Sequence, residues 1–101
     1  MNFEDDPRVK FLADYYGLDH QLEKLREEMQ EVGNAIDKHH MLNHPDSKWE
    51  LVCEMADVIF ILRQCLYKLA VSPEDVETII GFKYARQKMR IIEFEKMGVR
   101  E

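Results

Sequence analysis

The sequence is poor in the residues that build disulfide frameworks and tight turns. Its 101 residues include two cysteines, three prolines and four glycines. Cys53 and Cys65 fall in one predicted helix, roughly 18 Å apart at about 1.5 Å per residue, which is too far for a disulfide between them. We therefore expect both to be reduced core thiols of a cytoplasmic protein.

Long apolar runs and an excess of bases are also missing. No stretch approaches about 18 uninterrupted apolar residues, and the first eight residues contain three acids, so we expect neither a membrane span nor a signal peptide. The chain has 14 Lys and Arg against 20 Asp and Glu, a formal net charge of -6. Because clustered bases hold phosphate backbones and acidic lipids, neither a nucleic-acid polymer nor a membrane is expected as a partner.

The remaining composition, 46% hydrophobic and 34% charged, is ordinary for one globular domain. No β-period alternation or hairpin turn is present, and the apolar periodicity predicts a single all-α domain with helices at roughly 7–16, 19–40, 47–70 and 73–97. Asp6-Pro7 and Ser72-Pro73 are helix starts in which a capping side chain precedes a first-turn proline. The segment 41–47 is the predicted connector, in which Asp46 or Ser47 caps the third helix.

Apolar residues recur at three- and four-residue steps in the two central helices. The predicted stripe of the second helix is Leu22, Leu25, Met29, Val32 and Ile36. The predicted stripe of the third is Leu51, Met55, Val58, Leu62, Cys65 and Leu69. Further apolar residues make the third helix apolar on nearly all sides, so it must be buried on several of them. This pattern predicts a four-helix bundle that is completed by oligomerisation.

Two pairs of acids accompany these stripes. Glu28 and Glu31 lie one turn apart, as do Glu54 and Asp57 on the next helix. Antiparallel packing would bring the pairs together, where four carboxylates repel unless a cation joins them. Oxygen-only ligation suits Mg²⁺ or Mn²⁺, and the absence of a Glu-x-x-His pair argues against a di-iron site. The alternative is a solvated helix face.

The spacing of these acids resembles the signature of the MazG-like all-α nucleoside triphosphate pyrophosphohydrolases. E-E-x-x-E at residues 27–31 is followed, after 22 residues, by E-x-x-D at residues 54–57. The superfamily includes dimeric deoxyuridine triphosphatases and phosphoribosyl-ATP pyrophosphohydrolases, and the resemblance covers about residues 18–90. It implies that Mg²⁺ is held by the second and third acids of the first motif and by both of the second: Glu28, Glu31, Glu54 and Asp57.

The same resemblance extends into the fourth helix. Lys83, Gln87 and Arg90 take the places of a Lys-x-x-x-Asn-x-x-Arg pattern that contacts substrate phosphates in family members. Gln87 departs from the pattern because it stands where the family has Asn. Bases at this spacing also suit a triphosphate, whereas the alternative is a stripe of solvent-facing charges.

The reaction that the resemblance implies is attack of a metal-activated water on the α phosphorus of a (d)NTP, giving a (d)NMP and pyrophosphate. Glu27 or Glu31 is the candidate that takes the proton, and a homodimer or homotetramer is the expected assembly. A role in cleaning the nucleotide pool fits this activity. Two alternatives stay open: a non-catalytic oligomerisation or regulatory module that keeps the cation site, and a phosphoribosyl-ATP pyrophosphohydrolase.

Aromatic residues supply candidates for holding a base. Trp49, at the start of the third helix, is a candidate for stacking on the substrate base, with a structural anchor as the alternative. Three aromatic residues of the first helix favour a core or dimer contact over a base pocket: Phe11, Tyr15 and Tyr16.

Overall fold

A computed structural model of the chain describes residues 5–42 and 45–98. In these ranges the chain forms four helices and no strand, which confirms the predicted all-α class. The helices are α1 (Pro7–Tyr16), α2 (Leu18–Leu42), α3 (Pro45–Lys68) and α4 (Pro73–Met97). None of them is long and apolar enough to cross a membrane.

The chain divides into two compact units, Met1–Val71 with α1 to α3 and Ser72–Glu101 with α4. The predicted connector at 41–47 is mostly helical, because α2 continues through Leu42 and α3 already begins at Pro45. Positions 43 and 44 of that connector lie outside the described residues. Proline has no N–H to lose in the first turn of a helix, so Pro45 is a suitable starting residue.

Capping side chains fix the starts of α1 and α4, as the sequence predicts. The carboxylate of Asp6 accepts a hydrogen bond from the Arg8 backbone N–H at 2.9 Å. The Arg8 guanidinium also donates to Asp6, and this hydrogen bonding lowers the pKa of the carboxyl to about 2. At α4, Ser72 accepts from the backbone N–H of Asp75 and the Asp75 side chain accepts from the Ser72 N–H, a reciprocal capping box.

Residue pairs between α2 and α3 show that these two helices run antiparallel. Gln21 near the start of α2 bonds Gln64 near the end of α3, at 2.6 Å. His39 near the end of α2 lies 2.9 Å from the Ser47 hydroxyl at the start of α3. Ser47 is therefore a buried residue of the first turn of α3, and the prediction that it caps the helix is wrong.

The face of α2 that turns inward is rotated from the predicted stripe, so that alternate positions differ by one residue. Leu25 and Val32 are half-buried as expected, but Leu22, Met29 and Ile36 are exposed. The residues with reduced exposure recur at four- and three-residue steps: Gln21, Leu25, Glu28, Val32, Ala35 and His39. This seam of α2 therefore contains two polar side chains and a carboxylate where a simple bundle would place apolar residues.

The inward face of α3 is rotated in the same way. Its seam runs through Ser47, Leu51, Glu54, Val58, Ile61, Cys65 and Lys68. Met55 and Leu69, which belong to the predicted stripe, are exposed, whereas Glu54 is half-buried and Ile61 is buried. The two rotated seams face each other, and each of them brings a glutamate into the contact between α2 and α3.

The core of this unit is small, and α1 closes one end of it. Val9 and Ala13 of α1 are completely buried, and Ile61 and Cys65 of α3 are nearly so. The Asp14 carboxylate fastens α1 to the end of α3, because it accepts from the Tyr67 hydroxyl at 3.2 Å and from the Lys68 ammonium at 3.1 Å. Both cysteines are free, but Cys53 is exposed, so only Cys65 is the core thiol that the sequence predicts.

Several apolar side chains are exposed to solvent in both units. Val52, Met55 and Ile59 of α3 are between 41% and 45% exposed, so the predicted burial of α3 on several sides is not reached within α1 to α3. The aromatic residues Phe11, Tyr15 and Tyr16 are exposed too, so they do not join the core of this unit, and their predicted contact in a dimer stays a prediction. No residue of α4 is buried.

Substitutions at two turn residues, Ala70 and Gly17, should change the free energy of unfolding in opposite directions. Ala70 follows α3 with φ 58°, a left-handed conformation that is unfavourable by about 1 kcal/mol for a residue with a Cβ. We expect Ala70→Gly to raise the free energy of unfolding by about 1 kcal/mol in urea denaturation. Gly17, with φ 84° and ψ 165°, lies in a region open almost only to glycine, so Gly17→Ala should lower it by about 1–3 kcal/mol.

The Gly17 substitution tests the backbone alone, because a Cβ there would meet no atom within 4 Å. Equal stability of Gly17→Ala and the wild type would contradict the assigned backbone conformation.

Candidate metal centre

Three carboxylates from two helices converge in the α2–α3 contact. Glu28 of α2, Glu54 of α3 and Asp57 of α3 each place one oxygen within 4.8 Å of the others. Glu28 and Glu54 are half-buried and Asp57 is exposed. The rotated seams explain this arrangement, since Glu28 and Glu54 are seam residues and Asp57 follows Glu54 by one turn. We call these three residues the acidic cluster.

Glu31, the fourth ligand that the sequence predicts, is not a member of this group. It lies on the exposed side of α2, one turn beyond Glu28. It is nevertheless close enough for its charge to act on Glu54, whose pKa it helps to raise. The structure thus brings three of the four predicted ligands together and places Glu31 beside them.

The electrostatics of the acidic cluster are unfavourable without a cation. Burial raises the pKa of Glu54 above its usual value of 4.5, and the charge of Asp57 raises it further, followed by those of Glu31 and Glu28. Both effects disfavour the ionised carboxylate. A divalent cation among these oxygens would remove the penalty and favour ionisation.

A lysine that the sequence reasoning overlooked partly offsets this charge. The Lys24 ammonium lies 3.2 Å from Glu28 Oε1 and 3.7 Å from Glu27 Oε2. Its hydrogen bond to Glu28 raises the pKa of Lys24. The i, i+4 spacing of Lys24 and Glu28 could have indicated the pair, although such spacing is common on exposed helix faces.

A smaller cavity of about 400 Å³ adjoins one side of the acidic cluster. Glu31 and Glu54 line it together with Trp49. The indole is 62% exposed and has the Lys48 ammonium 5.3 Å from its ring centroid, so Trp49 is not a buried anchor. Its predicted contact with the substrate base stays a prediction.

A larger cavity of about 780 Å³ adjoins the other side. Glu27, Glu28 and Asp57 line its acidic end. Its remaining wall includes an aromatic pair, Tyr16 and His20, whose rings stack with centroids 4.6 Å apart and planes 15° from parallel. Glu27, a predicted catalytic residue, thus lies beside the acidic cluster, with its side chain 70% exposed.

The larger cavity also contains residues that no sequence motif indicated. Gln21 and Gln64 are 3% and 2% exposed and bond each other between α2 and α3. The sequence did contain one indication of this role: Gln64 lies one helical turn after the apolar residue Ile61 and therefore on the same face of α3. Such a position is normally apolar, so a glutamine there needs a partner or a ligand.

The predicted phosphate-binding residues lie on α4. Lys83, Gln87 and Arg90 are exposed and follow the expected helical spacing. Because α4 belongs to the second compact unit, their contact with a substrate stays a prediction.

The donor set fits a hard divalent cation. Three carboxylates from two helices, one of them with a raised pKa, offer the oxygen-only ligation that Mg²⁺ and Mn²⁺ prefer and leave sites for water and phosphate oxygens.

Comparisons of the chain with protein-family models, with curated proteins and with solved structures found no match.

Removal of one carboxylate should stabilise the protein when no metal is bound. Because the pKa of Glu54 is raised in the folded state, its ionisation opposes folding, and this penalty grows as the pH rises through and above 4.5. We expect Glu54→Gln to raise the Tm at pH 7 in EDTA, with a smaller gain near pH 4. Wild type should gain Tm on addition of Mg²⁺, and Glu54→Gln should lose most of that gain.

The matched control is Asp37→Asn, which removes an exposed carboxylate of α2 outside the acidic cluster. Thermal unfolding followed by circular dichroism measures both effects. Identical behaviour of Glu54→Gln and Asp37→Asn would count against a cation site.

Proposed function

We propose that this protein is a Mg²⁺-dependent nucleoside triphosphate pyrophosphohydrolase of the MazG-like kind, which converts a (d)NTP into a (d)NMP and pyrophosphate. The observation that carries the proposal is the position of the acidic cluster between two cavities. Glu54 borders the smaller cavity, whereas Glu28 and Asp57 border the larger one. A triphosphate held at the acids therefore has space on both sides for the rest of the nucleotide.

Glu28, Glu54 and Asp57 would hold Mg²⁺ or Mn²⁺, with Glu31 beside them. When bound, the cation neutralises phosphate charge and makes a coordinated water more acidic. In the reaction, a water oxygen forms a bond to the α phosphorus, the bond from that phosphorus to the α–β bridging oxygen breaks, and pyrophosphate leaves. A carboxylate must accept the proton of the attacking water.

Glu27 and Glu31 are the candidates for this proton acceptor, because each lies next to the acidic cluster without belonging to it. Glu27 lines the larger cavity with Glu28, and Glu31 lines the smaller one with Glu54. On the smaller side, Trp49 offers an exposed aromatic face to the substrate. We also propose that three residues of α4 bind the substrate phosphates: Lys83, Gln87 and Arg90.

We also propose that the protein acts as a homodimer or homotetramer in the cytoplasm. The exposed apolar strip of Val52, Met55 and Ile59 supports an assembly, since a second copy would remove it from water. The two free cysteines fit a reducing compartment.

The same apolar strip supports a second candidate function. A non-catalytic module that assembles with, or regulates, a partner would need the exposed apolar faces and would keep the cation site as a structural element. The two candidates differ in what the acids must do, because only an enzyme loses turnover when a carboxylate becomes an amide of the same size.

Pyrophosphate release from a panel of canonical and modified triphosphates tests the enzyme directly. Glu28→Gln and Asp57→Asn should each lower kcat/KM by roughly 10²-fold or more. Each substitution removes a carboxylate that would hold the cation, and the cation is what stabilises the charge of the reacting phosphates. Release should need Mg²⁺, and Asp37→Asn should match the wild type.

If no triphosphate is cleaved although the variants fold and assemble normally, the enzyme is excluded and the assembly module becomes the better account. Separate Glu27→Gln and Glu31→Gln variants identify the proton acceptor, since its loss should reduce kcat far more than KM.

A charge within the apolar strip should break the assembly. Ile59→Glu would bury a carboxylate in the proposed interface, so we expect a smaller oligomer in light scattering coupled to size exclusion. Met41→Glu, at a residue that is 81% exposed near the end of α2, is the control and should leave the mass unchanged. A wild-type protein that is monomeric at micromolar concentration would refute the proposed oligomer.

A further inference from the structure

The larger cavity contains a chain of three side chains that hydrogen-bond in a single direction. Gln21 Nε2 donates to Gln64 Oε1 at 2.6 Å, which leaves the Gln21 Oε1 oxygen turned toward His20. His20 Nδ1 lies 2.7 Å from that oxygen. Because a carbonyl oxygen has no proton to give, Nδ1 of His20 must carry the hydrogen and donate it.

This chain of hydrogen bonds, which we call the relay, fixes the orientation of the Gln64 side-chain amide. The Gln64 Oε1 oxygen is already taken by Gln21, so the Nε2 amide group is the part of Gln64 that stays available. Among the described residues no partner engages Gln64 Nε2. Gln64 lines the larger cavity although the residue as a whole is only 2% exposed, so its amide group is a hydrogen-bond donor at the wall of an open space.

The other walls of the cavity suit a flat ring. Tyr16 and His20 form a stacked pair, and Phe60 and Leu12 add apolar surface. Aromatic faces of this kind bind nucleobases by stacking. The acidic end of the same cavity, at Glu28 and Asp57, lies where the phosphates of a nucleotide would be held.

We propose that the larger cavity, rather than the smaller one beside Trp49, holds the base of the substrate and that Gln64 selects bases that present a ring carbonyl oxygen. An amide N–H can donate a hydrogen bond to a carbonyl oxygen of a base. The exocyclic amino group of adenine is itself a donor, so it would not form a hydrogen bond with Gln64 Nε2. His20 and Gln21 act as positioning residues, because their hydrogen bonds keep the donor of Gln64 directed to the ligand. The inference rests on the proposed function and names its substrate class.

Inosine and adenosine monophosphates provide a matched pair of probes, since the first has a carbonyl at position 6 and the second an amino group. Their binding to ¹⁵N-labelled protein in the presence of Mg²⁺, followed through the side-chain amide resonances of the glutamines, needs no turnover. We expect inosine monophosphate to bind about tenfold more tightly than adenosine monophosphate.

Two variants separate the relay from the fold. Gln64→Met keeps length and apolar bulk but removes the donor, so the preference for the carbonyl base should disappear. His20→Phe, at an exposed residue, keeps a ring over Tyr16 but removes the Nδ1 donor and frees the two amides to turn, so the preference should fall. Asp37→Asn should keep the full preference.

A wild-type protein that binds both nucleotides equally, or neither, overturns the inference, and so does a preference that survives Gln64→Met. These outcomes are distinct from failure of the proposed function. Triphosphate cleavage without discrimination between the two bases overturns the inference alone, whereas base selection without any cleavage overturns the pyrophosphohydrolase and leaves a nucleotide-binding module.

Discussion

The antiparallel seam between α2 and α3 is the contact on which the rest of the structure depends, and it places charges where a helix pair normally buries apolar groups. Glu28 is flanked in its seam by Leu25 and Val32, and Glu54 by Leu51 and Val58. The raised pKa of Glu54 shows the electrostatic penalty, which Lys24 offsets only at Glu28. Leucine at either position would pack without this penalty, and under the proposed function the two glutamates offset it by holding a cation.

The same seam determines where the cavities lie. Every seventh position of α2 on this face is polar or small, namely Gln21, Glu28 and Ala35. Side chains of this kind do not fill the space between two helices as leucines do, so open volume is left on both sides of the acids. Gln21 and Gln64 bond each other where the start of α2 meets the end of α3. This bond keeps apolar side chains from filling that end of the seam, because separating either amide from its partner would leave a buried polar group unsatisfied.

Sequence patterns predicted the helices, the caps at Asp6 and Ser72 and the nearness of Glu28 to Glu54 and Asp57, because these features follow from local propensity and spacing. They misplaced alternate positions of both seams by one residue, whereas Leu25 and Val32 lie in both the predicted and the observed seam of α2. The hydrophobic signal follows Leu22, Met29 and Ile36, which are more apolar than the residues before them that turn inward. Gln21 and Gln64 were missed because periodicity counts apolar residues, and each of these glutamines acquires its partner only from the facing helix. Lys24 was missed although its partners Glu27 and Glu28 lie on its own helix, because such spacing is common on exposed helix faces.

The division of charge along the chain constrains how a triphosphate could be accepted. Residues 1–71 contain 14 acids and 8 bases, whereas residues 81–90 of α4 contain four bases and no acid. The acidic unit by itself attracts divalent cations and repels a free triphosphate, so under the proposed function a nucleotide needs its charge compensated before it reaches Glu28 and Glu54. Lys24 can supply one positive charge locally, and a divalent cation bound to the nucleotide can supply more. A protein with this distribution should therefore distinguish the magnesium complex of a nucleotide from the free nucleotide more sharply than a site lined by bases would.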